Sequence, residues 1–388
     1  MNRSIWLLSL AAFVAAATTR ITDALLPQLA ADFGVAISDA AAAITAFTFA
    51  YGVFQLAYGG IGARIGPFPT VIVACALSAI GTVACAVAPS LGWLTVGRFL
   101  SGMTGAAVIP MSMAYIGDTV AYEQRQPVIA RFLMGQVTGV IVGQSFAGLF
   151  GELLDWQQLF LLLGVLWLLI AAALWRERAS GRVPPHERPE VLVNPFFQYV
   201  RVLQIPWARV VLATVLIEGF VLFGAFPFVA AHLRFAFDLS YLTIGLVMSG
   251  FGVGGMVYIM GVSWLVRTLG EGGLVLGGGV IVALGFVAIA SAGAWQIVAF
   301  ATPVIGCGYY MLHNTLQTNA TQMAPFDRSA AIALFAFGLF FGQAMGAAAL
   351  GHLGEWTGYP AIFLGAGVAL FVLAILFRLA ARGRPQAR

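Results

Sequence analysis

The chain has 388 residues, of which 61% are hydrophobic and only 9% are charged, with a formal net charge of +4. Soluble domains carry about 25% charged residues, so this composition excludes a soluble globular protein and indicates a surface covered by lipid. All 19 basic residues are arginine, and they are scattered over short segments instead of forming a patch. This distribution argues against nucleic-acid binding.

Twelve stretches are long and apolar enough to cross a membrane, which takes about 20 residues each. In chain order they are 5–29, 40–60, 69–88, 92–115, 128–150, 157–175, 207–231, 240–262, 272–291, 295–318, 329–351 and 359–380. The first continues past Arg20 without an evident cleavage site, which predicts a span and not a signal peptide. The predicted fold class is an all-α membrane protein with twelve transmembrane helices.

The arginines are distributed unequally between the two sets of loops. One set of loops and helix ends holds Arg3, Arg64, Arg125, Arg131, Arg176, Arg178, Arg182, Arg188, Arg201, Arg209, Arg267, Arg328, Arg378, Arg382, Arg384 and Arg388. The other set holds only Arg234, together with six acidic residues. Cytoplasmic loops of membrane proteins are rich in arginine and lysine. We therefore expect a multi-pass protein of the bacterial inner (plasma) membrane with both termini in the cytoplasm.

The sequence repeats itself weakly across its two halves. Matched residues include Pro27 and Pro227, Ser38 and Ser240, Gly59 and Gly261, Arg64 and Arg267, Trp93 and Trp295, Arg125 and Arg328, Gly143-Gln144 and Gly342-Gln343, and Asp155-Trp156 and Glu355-Trp356. This order predicts two pseudo-symmetric six-helix bundles, residues 1–175 and 207–388, joined by a polar cytoplasmic linker, 176–206. In such transporters the substrate site lies between the halves near the bilayer midplane.

Four motifs resemble the major facilitator superfamily over essentially the whole chain. They are Asp23-Ala-Leu-Leu-Pro27, Gly59-Gly-Ile-Gly-Ala-Arg64-Ile-Gly66, Leu94-Thr-Val-Gly-Arg98-Phe-Leu-Ser-Gly102, and the glycines 135, 139, 143 and 148. The chain looks most like the twelve-span drug:proton antiporter and sugar-efflux branch. This resemblance implies the major facilitator fold and a secondary transporter, with Arg98 in a proton-linked motif.

Two departures from the family pattern affect the predicted gates. The loop motif has Ala63, Pro67 and Phe68 where the family has an acidic and then basic residues. This leaves Arg64 with Asp118 as the expected inner latch. The exporter motif has Gln144 in place of proline, so the direction of transport stays open. Gly139 and Gly143 are expected to pack helices closely, or in addition to form a flexing contact that seals the outer gate.

Ionisable groups inside a membrane are costly and are therefore candidate functional residues. Arg20, Asp23, Arg98 and Glu218 lie at such depths. Asp23 and Arg98 each lie about 9 Å from the outer ends of their spans at 1.5 Å per residue. This match predicts an ion pair in which Asp23 carries the coupling proton. Alternatively, Arg20 pairs with Asp23 along one helix turn, and Arg98 is free to bind substrate.

Further polar residues lie in the seventh and tenth spans. Glu218 has no basic neighbour in its own helix, and it could bind a cationic substrate, carry a proton or be purely structural. The tenth span places Tyr309, Tyr310, His313 and Asn314 near one face. Met256, Met260, His313, Cys85 and Cys307 leave a copper or metal-chelate transporter as a less favoured reading, since soft ligands suit Cu(I).

We expect a proton-coupled exporter of small amphipathic or aromatic compounds that works by alternating access. The alternative is a proton-coupled importer or facilitator of a small organic anion held by Arg20 or Arg98. A third class, a membrane enzyme, is disfavoured because the zinc-protease, nucleophile-elbow and phosphate-loop motifs do not occur. We expect a monomer that needs no cofactor or resident metal, with protons, substrate and the lipid bilayer as its partners.

Overall fold

The computed structural model describes residues 3–186 and 195–382, and the elements of this part are helices without strands. Eleven of its helical segments are long and apolar enough to cross a membrane. One of them, Tyr241–Ala290, has 50 residues and contains Gly270 with non-helical angles of φ 61° and ψ 177°. The chain turns at this glycine, so the segment makes two spans. Ten single segments and this double one give twelve spans, which confirms the predicted all-α fold class.

The spans are numbered in chain order. Spans 1 to 6 are Arg3–Phe33, Ile37–Ile65, Pro67–Ala86, Leu91–Thr119, Tyr122–Leu153 and Trp156–Ala179. A short helix, Pro195–Leu203, follows. Span 7 is Pro206–Phe237, spans 8 and 9 lie on either side of Gly270, and spans 10 to 12 are Trp295–Gln322, Arg328–Thr357 and Tyr359–Arg382. Most helices extend several residues beyond the predicted apolar stretches, because polar helix ends reach past the hydrocarbon layer.

Three of these spans begin at residues that favour the start of a helix. The hydroxyl of Ser240 accepts a hydrogen bond from the Thr243 amide at 3.3 Å, and the Asp327 carboxylate accepts one from the Ala330 amide at 3.0 Å. Such N-caps satisfy amides that have no partner inside the helix. Pro67 lies at the start of span 3, directly after Gly66, whose φ of 95° favours glycine. The turns between spans are therefore fixed by the local sequence.

Small residues allow neighbouring spans to approach closely. A Cβ on Gly139 would collide with the main chain of Phe13, and one on Gly143 would lie 2.7 Å from the Cα of Ala17. Both glycines therefore hold span 5 against span 1. In the second half, Gly342 has the same relation to the main chain of Leu216 in span 7. These contacts favour close packing as the role of Gly139 and Gly143, while their part in a gate remains a prediction.

The N-terminal half (spans 1–6) meets the C-terminal half (spans 7–12) along two seams. In one, span 5 lies against span 8, where Gly148 and Gly245 bring the two main chains together. In the other, span 2 lies against span 11, where Gly52 faces Phe340 and Phe341. An even number of spans returns the chain to the side on which it began. We call the end that carries Arg3 and Arg382 the terminal end, and the other the opposite end.

Two hydrogen bonds join the halves at the opposite end. The carboxylate of Glu152, where span 5 ends, accepts from the Tyr241 amide that begins span 8, at 2.9 Å. The carboxylate of Glu355, near the end of span 11, accepts from the Ser38 amide that begins span 2, at 3.2 Å. Each pairs a carboxylate with a helix N-terminus, where negative charge is stabilised. The opposite end is thus closed by two similar contacts, one on each seam.

The expected latch between Arg64 and Asp118 is not formed in this conformation, and its role in gating remains a prediction. Both side chains are exposed, and no ion pair within 4.0 Å joins them in the described chain. Instead, the Ala63 carbonyl lies 3.0 Å from Nε2 of His186, a residue of the predicted linker. The loop itself contains no acidic residue that could pair with Arg64.

In the N-terminal half, one buried glutamate connects several segments at the terminal end. The Glu177 carboxylate lies 3.5 Å from Arg3 and 3.2 Å from Arg182, and it accepts a hydrogen bond from the Ser4 hydroxyl at 3.3 Å. It therefore joins spans 1 and 6 to the start of the predicted linker. Residues 187–194 of that linker lie outside the described residues. Farther on, the Tyr199 hydroxyl donates to the Leu56 carbonyl at 2.7 Å.

Candidate functional site

Asp23 is completely buried in span 1, and its partner is Arg20 of the same helix. Nη1 of Arg20 lies 3.4 Å from Oδ2 of Asp23, whereas Oδ1 has no hydrogen-bond partner in the described part of the chain. The Arg20 guanidinium also stacks over the Phe223 ring of span 7, 3.9 Å from its centroid. The pair along one helix turn, given above as the alternative, is therefore the one that forms, and Arg20 reaches across to the other half.

Arg98 of span 4 is fully buried but makes no ion pair with Asp23 within 4.0 Å, so the predicted pairing is wrong. Its guanidinium donates to the Thr18 carbonyl at 2.8 Å, to the Thr22 hydroxyl at 3.1 Å and to the Ala43 carbonyl at 3.4 Å. It also stacks on Phe47, 4.0 Å from the ring centroid. Arg98 thus ties span 4 to spans 1 and 2, and neutral oxygens take up its donors.

Glu218 of span 7 has a partner that its own helix does not supply. Its Oε2 lies 2.8 Å from Nδ1 of His313 in span 10, and both side chains are buried. Its other oxygen, Oε1, has no hydrogen-bond partner among the described residues. Oε2 and Nδ1 are within hydrogen-bonding distance, so one buried contact joins spans 7 and 10.

The helix of span 7 changes type directly after Glu218. Residues Gly219–Phe223 form a π-helical turn, and the α-helix resumes at Phe228–Phe237. Such turns are rare and occur often at functional sites. Gly219 and Gly224 face the main chain of span 11 at Leu339 and Gly346, so span 7 lies close to that helix on both sides of the turn.

Aromatic rings connect the two buried pairs. Phe223 lies edge-on to Tyr309, with centroids 5.0 Å apart, and the Tyr309 ring stacks on His313 at 4.9 Å. A continuous path of contacts therefore runs from Asp23 and Arg20 through these rings to the second pair. Of the residues predicted in span 10, Tyr309 and His313 belong to this path.

Tyr310 and Asn314 lie beside this path and not on it. Tyr310 packs on Gly255 and stacks on Tyr258 of span 8, with ring centroids 6.4 Å apart. Asn314 is half-buried on the same helix. Phe223 was not singled out in the sequence, because one phenylalanine in an apolar span carries no distinguishing signal. Among the described residues, no three His, Cys, Asp or Glu side chains form a cluster that could hold a metal ion.

The chain is similar to known transporters in sequence and fold. Residues 8–330 match the model of the Major Facilitator Superfamily. The MFS-type transporter YceJ of Bacillus subtilis (strain 168) is 27% identical over 66% of this chain and 65% of its own length. A putative multidrug resistance protein, MdtD of Cronobacter sakazakii (strain ATCC BAA-894), is 26% identical over 41% of this chain and 34% of its own. The chain thus spans less than two thirds of the curated relatives it matches.

The fold itself matches solved structures over nearly the whole chain. The peptide transporter POT, in complex with sulfate, superposes with a TM-score of 0.81 at 15% identity, covering 98% of this chain and 95% of that one. At this identity the likeness shows the fold alone. The family match covers most of the chain, and with the membrane-spanning segments it indicates a multi-pass membrane protein of a transporter family. The chain belongs to the Major Facilitator Superfamily.

Proposed function

We propose that this protein exports small amphipathic or aromatic compounds in exchange for protons, by alternating access across a bacterial inner membrane. The multidrug-resistance name of the relative MdtD supports efflux. The arginine-rich loops of the terminal end support cytoplasmic termini. The contacting aromatic rings that join the two buried pairs offer apolar surfaces on which an aromatic substrate could stack once the halves separate. We further propose that it acts as a monomer.

The balance of buried charge indicates which group carries the proton. Arg20, Asp23 and Arg98 give the N-terminal half one net positive charge at mid-depth, whereas Glu218 gives the C-terminal half one negative charge when His313 is neutral. The two halves then balance. Protonating Asp23 would leave Arg20 and Arg98 without a charged carboxylate at that depth of their own half. A proton on the Glu218–His313 pair instead neutralises the buried negative charge of the C-terminal half.

The Glu218–His313 pair is therefore the proposed proton carrier, and its 2.8 Å contact with one free carboxylate oxygen is the observation that carries this proposal. Asp23 then acts as the fixed counter-charge of Arg20. A cationic substrate that reaches the free oxygen of Glu218 would compete with the proton for the same charge. Competition of this kind couples the movement of substrate to the movement of protons in the opposite direction.

Alternating access requires one end to open while the other closes. The hydrogen bonds of Glu152 and Glu355 at the opposite end belong to a conformation in which that end is shut. In the proposed orientation this is the periplasmic end. Opening it would require both carboxylates to leave the helix N-termini that they cap.

A test uses proteoliposomes that contain the purified full chain and an imposed pH gradient, acidic inside. Tetraphenylphosphonium, a lipophilic aromatic cation, should accumulate inside the vesicles and should leave again when the gradient is collapsed. The variant Glu218→Gln should accumulate none above empty liposomes. Accumulation that ignores the pH gradient would contradict proton coupling.

A second candidate is uptake of a small organic anion with protons. Arg20 supports it, because a single 3.4 Å contact holds this residue to Asp23 and its guanidinium lies against an aromatic ring. A planar guanidinium binds a carboxylate with two hydrogen bonds. Benzoate accumulation in vesicles that are alkaline inside, lost in Arg20→Gln, would establish this candidate over export.

A further inference from the structure

Two buried glutamines have amide groups with no partners. Gln144 of span 5 and Gln343 of span 11 are both 0% exposed, and neither the oxygen nor the nitrogen of either amide has a hydrogen-bond partner within the described residues. Buried polar groups are almost always paired. We therefore expect these two amides to have hydrogen-bond partners that this conformation of the chain does not provide.

The two glutamines hold matching places in the repeated halves. Each follows a glycine that packs against the first span of its own half: Gly143 against Ala17, and Gly342 against Leu216 and Phe220. Their positions in the two halves differ by the same offset as those glycines. A single buried, unpaired glutamine could result from packing alone. Two at matching positions indicate that both halves share this feature.

Their depth matches that of the buried ion pairs. Ala17, which Gly143 touches, lies one helix turn before Arg20 in span 1. On the other side, the main-chain nitrogen of Gln343 would lie 3.2 Å from a Cβ on Gly219, the residue that follows Glu218. Each glutamine is thus about one turn from the charged pair of its own half. The proposed proton carrier and both amides occupy one level of the molecule.

Both glutamines also lie on spans that form the seams between the halves. Gln144 shares a helix face with Ile141 and Gly148, which contact Gly252 and Gly245 of span 8. By the repeat, Gln343 shares a face with Phe340, which contacts span 2. The seams separate when a transporter of this family changes conformation. Separation of the seams would therefore expose each amide to a ligand between the halves.

We propose that Gln144 and Gln343 hydrogen-bond the uncharged polar groups of the transported molecule, with one amide contributed by each half. This inference rests on the proposed function and refines its substrate class. A primary amide offers both a donor and an acceptor, which complements hydroxyl and amide groups. Since it carries no charge, it leaves the electroneutral balance of the two ion pairs unchanged. The substrate is then an aromatic compound that bears hydroxyl or amide groups, in addition to any cationic group that reaches Glu218.

The test compares two kinds of ligand by thermal unfolding of the purified full chain in detergent. Chloramphenicol and thiamphenicol are neutral aromatic compounds with hydroxyl and amide groups, whereas tetraphenylphosphonium has none. The variants are Gln144→Leu and Gln343→Leu, which keep the approximate volume and remove the hydrogen-bonding groups. The matched control is Gln157→Leu, because Oε1 of Gln157 is also buried without a partner but lies on span 6, which is not part of either seam.

Each seam variant should weaken the binding of the two neutral compounds at least tenfold and leave tetraphenylphosphonium binding within about twofold. Neither should lower the melting temperature without ligand, because the amides it removes were unpaired. The control should change neither affinity. Equal losses for both ligand classes, or unchanged affinities, would overturn the inference. If the wild-type protein binds only tetraphenylphosphonium, the inference is also overturned, but the proposed function stands. A wild type that binds neither class would contradict the proposed function as well.

A conformational role would give a different result. If the amides find their partners within the chain in the outward-open state, the leucine variants would alter the balance of the two states at unchanged ligand affinity. Spin-label distances across the opposite end, measured without ligand, report that balance. A shift there, combined with unchanged binding of chloramphenicol, would overturn the role in substrate binding.

Discussion

The two halves of this transporter handle their buried carboxylates differently. In the N-terminal half, Asp23 is paired with Arg20 within one helix, at 3.4 Å. In the C-terminal half, Glu218 is paired with His313 across two spans, at 2.8 Å. A guanidinium stays protonated at any physiological pH, whereas an imidazole exchanges its proton near neutrality. The first pair is suited to hold a fixed charge, and the second to carry a movable one.

This difference has consequences for motion as well as for chemistry. The first pair lies in one helix and can move as a unit with span 1. The second joins span 7, at the beginning of its π-helical turn, to span 10. A change in protonation there alters a contact between two spans. In the proposed function, the coupling proton and a contact between two spans therefore both belong to the C-terminal half.

The largest expected effect is on uphill transport by Glu218→Gln. Glutamine keeps the size and can still hydrogen-bond His313, but it cannot exchange a proton. We expect proton-driven accumulation of tetraphenylphosphonium in proteoliposomes to fall to the background of empty liposomes. Exchange of labelled for unlabelled substrate at equal concentrations should stay within about threefold of wild type. Retained uphill transport would show that this half does not carry the proton.

The next largest effect is on stability, and it concerns the fixed pair. Arg20→Gln leaves the fully buried Asp23 without its partner, and breaking a buried ion pair in this way costs about 3–5 kcal/mol. The melting temperature in detergent should therefore drop strongly.

The double variant Arg20→Gln/Asp23→Asn is the control for this prediction, because it removes both charges. It should recover most of the lost melting temperature. If the double variant is no more stable than the single one, the two side chains do not act as a pair.

A smaller effect is expected at the opposite end. Glu152→Gln with Glu355→Gln removes the charge from the two contacts that close it. Both carboxylates are exposed, and a negative charge at an exposed helix N-terminus contributes about 0.3–1 kcal/mol, so the open population should rise about threefold or more. Spin labels on cysteines at Leu154 and Phe235, both exposed at this end, would report the change once the native cysteines are replaced by alanine. An unchanged distance distribution would mean that packing alone closes this end.

The smallest effect is expected from Ala63→Asp in the loop between spans 2 and 3. The family pattern has an acidic residue there, and its return was expected to strengthen an inner latch. Arg64 and Asp118 are exposed and unpaired with each other, and exposed ion pairs contribute about 0.2–1 kcal/mol. Transport rates should therefore change by less than about fivefold. A larger decrease would show that this loop controls opening after all.

The fold was predictable because length and composition are sufficient to recognise spanning helices. Gly270 shows this well: the apolar pattern predicted two spans, and the chain turns at this glycine between them. The buried charges were also recognisable, since each stands alone in an apolar segment. The cost of placing a charge in a membrane makes such residues conspicuous in any sequence.

The pairing of those charges was harder to predict, for a geometric reason. Depth along a span follows from residue number, and on that basis Asp23 and Arg98 were matched. Rotation about the helix axis decides which side chains meet, and it depends on packing with other spans. Arg98 therefore contacts neutral oxygens, whereas Glu218 pairs with His313 of span 10. The π-helical turn at Gly219–Phe223 has no recognisable signal in the sequence.

Proton release on substrate binding tests the difference between the two pairs most directly. Tetraphenylphosphonium is added to the purified protein in weakly buffered detergent solution at a series of pH values, and the released protons are measured. Wild type and the double variant Arg20→Gln/Asp23→Asn should both release protons, and Glu218→Gln should release none. Undiminished release from Glu218→Gln, together with its loss from the double variant, would contradict our assignment and move the coupling proton to Asp23.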